Sequence, residues 1–144
     1  AEGCRRFEEA YLWRAVEAWP AGSAQRLKAL GAAYVRFALE NPQYFKVIFT
    51  IEPRDRRAIE ELPGQGGYPI LRRSVEEAMA SAAIRRADPD LVALYLWSVV
   101  HGLVMLSLAC TLEDCSPGLA QADPLELFER VSEFVLDGLR PRVA

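Results

Sequence analysis

The stretch DPDLVALYLWSVVHGLVMLSLACTL, residues 88–112, constrains the fold more than any other part of the chain. Asp88 can cap the first turn of a helix, Pro89 suits its first position, and Asp90 complements the positive end of the dipole. Residues 91–112 contain no Lys, Arg, Asp or Glu. A helix that is apolar around its whole circumference must be buried on all sides. A chain of 144 residues can rarely cover such a helix alone, so a second copy is the expected partner. Two stripes can be read along it. Leu94, Trp97, His101, Met105 and Leu108 follow helical spacing on one side, and Tyr95, Val99, Gly102 and Leu106 on another. Gly102 weakens a helix interior, which implies that something packs close against it. One stripe is expected to face the chain's own core and the other a partner helix. The length would also suffice to cross a membrane. His101, Ser98, Ser107 and the amphipathic character of the remaining segments argue against that reading.

The length fits one domain, residues 1–144, large enough for a real core. The chain carries 17 basic and 20 acidic residues, for a net charge of −3. It has no basic run suited to nucleic acid, so direct DNA binding by this chain is not expected. Cys4, Cys110 and Cys115 lack metal-ligand spacing and His101 is the single histidine, which leaves no zinc site or disulfide framework. No secretory signal opens the chain, and a cytoplasmic location is expected. Ala1 is not preceded by methionine, compatible with processing or with a missing start.

All the regular segments have helical periodicity. Phe7, Tyr11, Leu12, Ala15, Val16 and Trp19 make a stripe over residues 2–19, stopped at Pro20-Ala21-Gly22. Ser23 can cap the next helix, residues 24–40, with Leu27, Leu30, Tyr34, Phe37 and Ala38 inward. Asn41-Pro42 ends it, and a short apolar helix is expected over residues 43–50. Residues 51–68, with Arg54-Asp55-Arg56-Arg57 and Pro63-Gly64-Gln65-Gly66-Gly67, read as a surface loop or as a lid over a pocket. A helix over residues 69–86 follows, carrying Leu71, Val75, Ala78, Met79 and Ala82 on one face. Beyond the long apolar helix, residues 113–121 form a turn region. Asp123-Pro124-Leu125-Glu126 then starts a last helix to about Arg140. Leu125, Phe128, Val131, Val135 and Leu139 share its apolar face. The expected fold is all-α, an antiparallel bundle of about six helices.

Catalytic chemistry finds little support. One imidazole and no GxSxG, HExxH or paired ExxH pattern leave no catalytic constellation, so an enzyme is not expected, and no cofactor or metal is implied. The aromatic residues are the stronger signal. Tyr34, Phe37, Phe45, Phe49 and Trp97 could form a plain core. They could equally wall a cavity in which Tyr34 and His101 supply the few polar groups, with Met105 on the same stripe as His101.

Two motifs connect these residues to a family. Trp97-Ser98-Val99-Val100-His101-Gly102 resembles the tryptophan and histidine-glycine signature of the WHG-type C-terminal domain of TetR-family transcriptional regulators. Leu30-Gly31-Ala32-Ala33-Tyr34-Val35-Arg36-Phe37-Ala38-Leu39-Glu40-Asn41-Pro42, followed by Tyr44-Phe45 and Ile48-Phe49, is similar to the segment "aYv.FAleNPeyF.lmF" of the same group. The two motifs occur in the expected order, and the resemblance spans roughly residues 23–140.

The resemblance implies an effector-binding and dimerisation domain in which the last two long helices form a four-helix bundle with their mates. The homodimer interface would then use Tyr95, Val99, Gly102, Leu106, Leu125, Phe128, Val135 and Leu139. A small apolar or aromatic effector would contact Tyr34, Phe37, Phe45, Phe49, Trp97, His101 and Met105. The first helix would connect to an N-terminal helix-turn-helix domain that is missing from this chain, and through which alone DNA would be bound. A stand-alone helical ligand-binding and dimerisation protein is the alternative.

Overall fold

The computed structural model describes residues 7–43, 45, 67–109 and 111–143. Among these there are seven helices and no strand. Helix α1 opens as a π-helical turn, Glu8–Leu12, and continues as an α-helix, Trp13–Ala18. It is followed by α2 (Ala24–Glu40), α3 (Gly67–Ala80), α4 (Pro89–Leu108), α5 (Thr111–Cys115), α6 (Pro117–Ala120) and α7 (Pro124–Gly138). Of the expected helix over residues 43–50, Gln43 and Phe45 are described and helical; its other residues, Phe49 among them, and the loop up to residue 66 lie outside the described residues.

The starts of the long helices form as their sequences dictate. Ser23 Oγ accepts from the Arg26 amide at 3.2 Å, Asp88 Oδ1 from the Asp90 amide at 2.9 Å, and Asp123 Oδ1 from the Leu125 amide at 3.2 Å. Each bond satisfies a donor that the first turn would otherwise leave unpaired. The turn region after α4 folds into the two short helices α5 and α6, which were not expected.

Helix α3 differs from expectation at its end. It stops at Ala80 instead of continuing to Arg86. Ala82 takes a left-handed conformation with φ of 59°, and the Ala83 and Ile84 amides both donate to the Ala78 carbonyl. This geometry closes a helix end and usually recruits glycine. With alanine in that place, the sequence carries no visible stop. The turn drops Ile84 into the core, where it is almost fully buried.

Helix α2 lies at the centre and packs on α1, α3, α4 and α7. Leu27 joins Val75, Met79, Val92 and Val135 in one buried cluster; Val35 and Ala38 join Val100, Val104 and Phe128 in a second; Leu30, Ala33 and Phe37 join Phe7 and Leu12 in a third. Gly31 permits the closest approach. A methyl group there would stand 2.6 Å from Phe128 Cζ, so the ring of α7 rests directly on the backbone of α2.

Helix α4 is not covered on all sides. Its inward face is Val92, Ala93, Val100 and Val104, with Leu96 and Val99 partly buried beside them. Leu91, Leu94, Tyr95, Met105 and Leu106 stay exposed, Leu91 to 62%. The helix has a mean hydropathy of 2.0 and is long and apolar enough to cross a membrane by length and composition, yet only 22% of that span is buried within the chain.

Candidate ligand cavity and outer apolar face

A cavity of about 130 Å³ opens between α1, α2, α3, α4 and α7. Helix α2 contributes Leu30, Tyr34 and Phe37 to its wall, spaced by three or four residues so that they share a face. Trp97, Val100 and Leu96 come from α4, and Phe128, Val131 and Val135 from α7. Phe45 completes one side. Four of the seven expected effector contacts, Tyr34, Phe37, Phe45 and Trp97, are thus brought together.

The other three are not. Phe49 is outside the described residues. Met105 is 44% exposed on the outer face of α4, since its position on the helix turns it away from α2. His101 does not line the cavity but stands behind it. Its Nδ1 lies 2.8 Å from the Tyr34 hydroxyl, and its ring centroid is 5.5 Å from that of Phe45. The histidine therefore orients a wall residue.

Burial pushes the Tyr34 phenol well above the usual tyrosine range, with the Trp97 indole opposing weakly, so the hydroxyl keeps its proton. Burial also lowers the His101 pKa below its ordinary 6.5, which favours the neutral ring. With the imidazole proton on Nε2, the tyrosine donates to Nδ1. Protonating the ring at Nδ1 removes that acceptor. A histidine whose pKa is lowered on folding contributes stability above about pH 6.5 that is lost as pH falls toward the folded value. The melting temperature of the wild type is therefore expected to drop more than that of His101→Gln between about pH 8 and about pH 5. Equal drops measured by circular dichroism would contradict this.

Several wall residues were not anticipated. Phe7 and Leu12 of α1 and Tyr68 and Leu71 of α3 line the cavity. Both Phe7 and Leu12 lie on the apolar stripe expected for the first helix, but five residues apart and so well separated across it. Tyr68 is pinned by its surroundings: its hydroxyl donates to Asp90 Oδ1 at 2.7 Å, and Arg72 Nε donates to the same oxygen at 2.8 Å. These bonds hold the Asp90 carboxyl below the usual range, the tyrosine contributing most. They also fasten the start of α3 to the start of α4. On the opposite side, Lys28 at the cavity edge pairs with Glu129 across α2 and α7. Among the described residues of the wall, the one cation thus already has its counter-charge.

The residues expected at a dimer interface divide. Tyr95 and Leu106 are exposed. Among the described residues, none occupies the space that the missing side chain of Gly102 leaves. Val99 turns partly inward to the cavity, and Leu125 packs partly on the second core cluster. Phe128, Val135 and Leu139 are buried in the chain's own core, because the stripe they share faces α2 and α3. Phe134, which no stripe contained, is 80% exposed on α7.

The architecture is an all-helical domain with a small aromatic-walled cavity beside one long, half-covered apolar helix. The family model described as "Tetracyclin repressor-like, C-terminal domain" matches residues 27–135, and the chain belongs to that family. It is also similar to a solved structure titled as a protein with unknown function from Rhodococcus sp. RHA1. The two share 26% sequence identity with a TM-score of 0.79, over 96% of this chain and 70% of that one. A search of curated proteins finds no match.

Proposed function

We propose that this chain is the effector-sensing and dimerisation domain of a TetR-like bacterial transcriptional regulator acting in the cytoplasm. The observation that carries the reading is the cavity walled by Tyr34, Phe37, Phe45 and Trp97, with Phe128 closing it from the last helix. Its wall is almost entirely apolar, and its few polar groups are engaged: Tyr34 with His101, Tyr68 with Asp90, Lys28 with Glu129. A cavity of this kind gains free energy from burying uncharged apolar surface and offers an ion nothing to offset its desolvation. The effector is therefore a small, uncharged apolar or aromatic molecule. The exposed stripe of α4, with its open Gly102, supports a homodimer in which α4 and α7 meet their mates. A helix-turn-helix elsewhere in the regulator would read DNA, and the effector would act by favouring one spacing of two such heads over another.

The test is an NMR titration of the isotope-labelled chain with toluene, an uncharged one-ring probe of the size the cavity admits. Saturable binding is expected. Leu71→Trp, which fills the cavity from α3, should weaken it at least about tenfold. No saturable signal, or an affinity indifferent to the filled cavity, would refute the reading.

A further inference from the structure

The cavity is smaller than the molecules such a site is expected to serve. An apolar space of about 150 Å³ accepts benzene, whereas drug-sized ligands occupy roughly 300–1,000 Å³. At about 130 Å³ the present cavity admits one ring. Anything larger must displace part of the wall, and the question is which part can yield.

Most of the wall belongs to regular α-helices locked into the core. Phe7 and Leu12 do not. They bracket the π-helical turn Glu8–Leu12, and both are buried. Five residues of α-helix turn about 140° past a full revolution, so in that geometry the two side chains could not share a wall. An i→i+5 turn stacks them. Their convergence is visible at Gly67, where a methyl group would meet Leu12 Cδ1 and Phe7 Cε1 at 3.3 Å each. Phe7 packs against Phe37 at 4.7 Å between ring centroids and against Tyr34 at 5.9 Å. Between them, Tyr11 is moored to the end of α2: its hydroxyl donates to Glu40 and accepts from Asn41 Nδ2.

We propose that the π-helical turn Glu8–Leu12 is a register switch governed by cavity occupancy. A ligand larger than one ring takes the place of the Phe7 ring, and the turn closes to the α-helical i→i+4 register. Tyr11 and Leu12 stay moored on α2 and α3, so the change falls on the N-terminal side. There, one residue of register is about 100° of rotation. The π turn has the poorer hydrogen-bond geometry of the two, and it persists because Phe7 gains burial by filling space that is otherwise empty. Removing one phenyl ring roughly doubles the cavity, which brings two-ring ligands within reach. Phe7 is thus a stand-in for the missing part of the ligand, and its release converts occupancy into rotation. This regulation rests on the cavity being the effector site.

The experiment is a long-range HNCO measurement on the isotope-labelled chain, which identifies the carbonyl accepting each amide of the turn. In the free protein, and with saturating toluene, the acceptor is expected five residues back. With saturating naphthalene, a two-ring ligand, it is expected four residues back. If naphthalene binds and the acceptor stays five back, if toluene shifts it too, or if toluene binds and naphthalene does not, the switch is wrong while the cavity reading stands. If toluene itself does not bind, the cavity reading fails and the switch falls with it.

Discussion

Gly31→Ala is expected to lower stability by about 1–3 kcal/mol, the usual effect of forcing an extra carbon into a packed core. The added methyl would lie 2.6 Å from Cζ and 2.7 Å from Cε2 of Phe128. The ring is not a flexible end that can swing aside. It is buried among Val35, Ala38, Val100 and Val104, and it forms part of the cavity wall. Either α7 moves off α2, loosening Val131 and Val135 with it, or the ring is pushed into the cavity. A shift of several degrees in melting temperature should follow, and probe affinity should fall in the same variant. A melting temperature unchanged within about one degree would show that the contact between α2 and α7 is softer than its geometry indicates. Phe128→Leu in the Gly31→Ala background should recover part of the loss, since a shorter side chain leaves room for the methyl group.

Gly102→Arg is expected to convert a dimer to a monomer. Among the described residues nothing lies within 4 Å of a Cβ added there, so they accommodate the change. Within the proposed dimer the same position lies where two α4 helices approach. A guanidinium placed there would lose its hydration without gaining a partner, a penalty of several kcal/mol. Light scattering should give twice the 16.1 kDa chain mass for the wild type and the single mass for the variant, with helix content preserved. A wild type of single mass would remove the homodimer from the proposal. A dimeric variant would place the interface away from Gly102.

The architecture was legible because its signals are local. Ser23, Asp88 and Asp123 announce helix starts by chemistry that operates within three residues. The motif around Tyr34 and the one around His101 were readable separately, and the structure shows why they occur together: the two side chains are hydrogen-bonded between α2 and α4. What could not be read depends on context. Ala82 ends a helix in a conformation that its side chain gives no hint of. Phe7 and Leu12 belong to one broad apolar stripe, but a 3.6-residue period sets them about 140° apart on it, and the π turn that brings them to one wall leaves no mark in the sequence. A helix apolar on every face gives no pattern from which to choose its inner side, and the two stripes drawn on α4 were divided accordingly. Met105 was placed on the His101 stripe, yet it is on the outside. On α7 the amphipathic pattern is clear, but it marks the face toward α2 and α3 and not the face toward another chain. Phe128, Val135 and Leu139 follow that inner face.

The half-covered α4 has a consequence for how much of this protein a cell must make. A helix whose outer face is finished only by a second copy ties folding stability to concentration, because association is bimolecular while unfolding of a lone chain is not. At high dilution the protomer would stand on its inner contacts alone, with Leu91, Leu94 and Leu106 facing water. In the proposed homodimer, copy number becomes a structural variable, and the paired form would exist only above the concentration at which mates find each other.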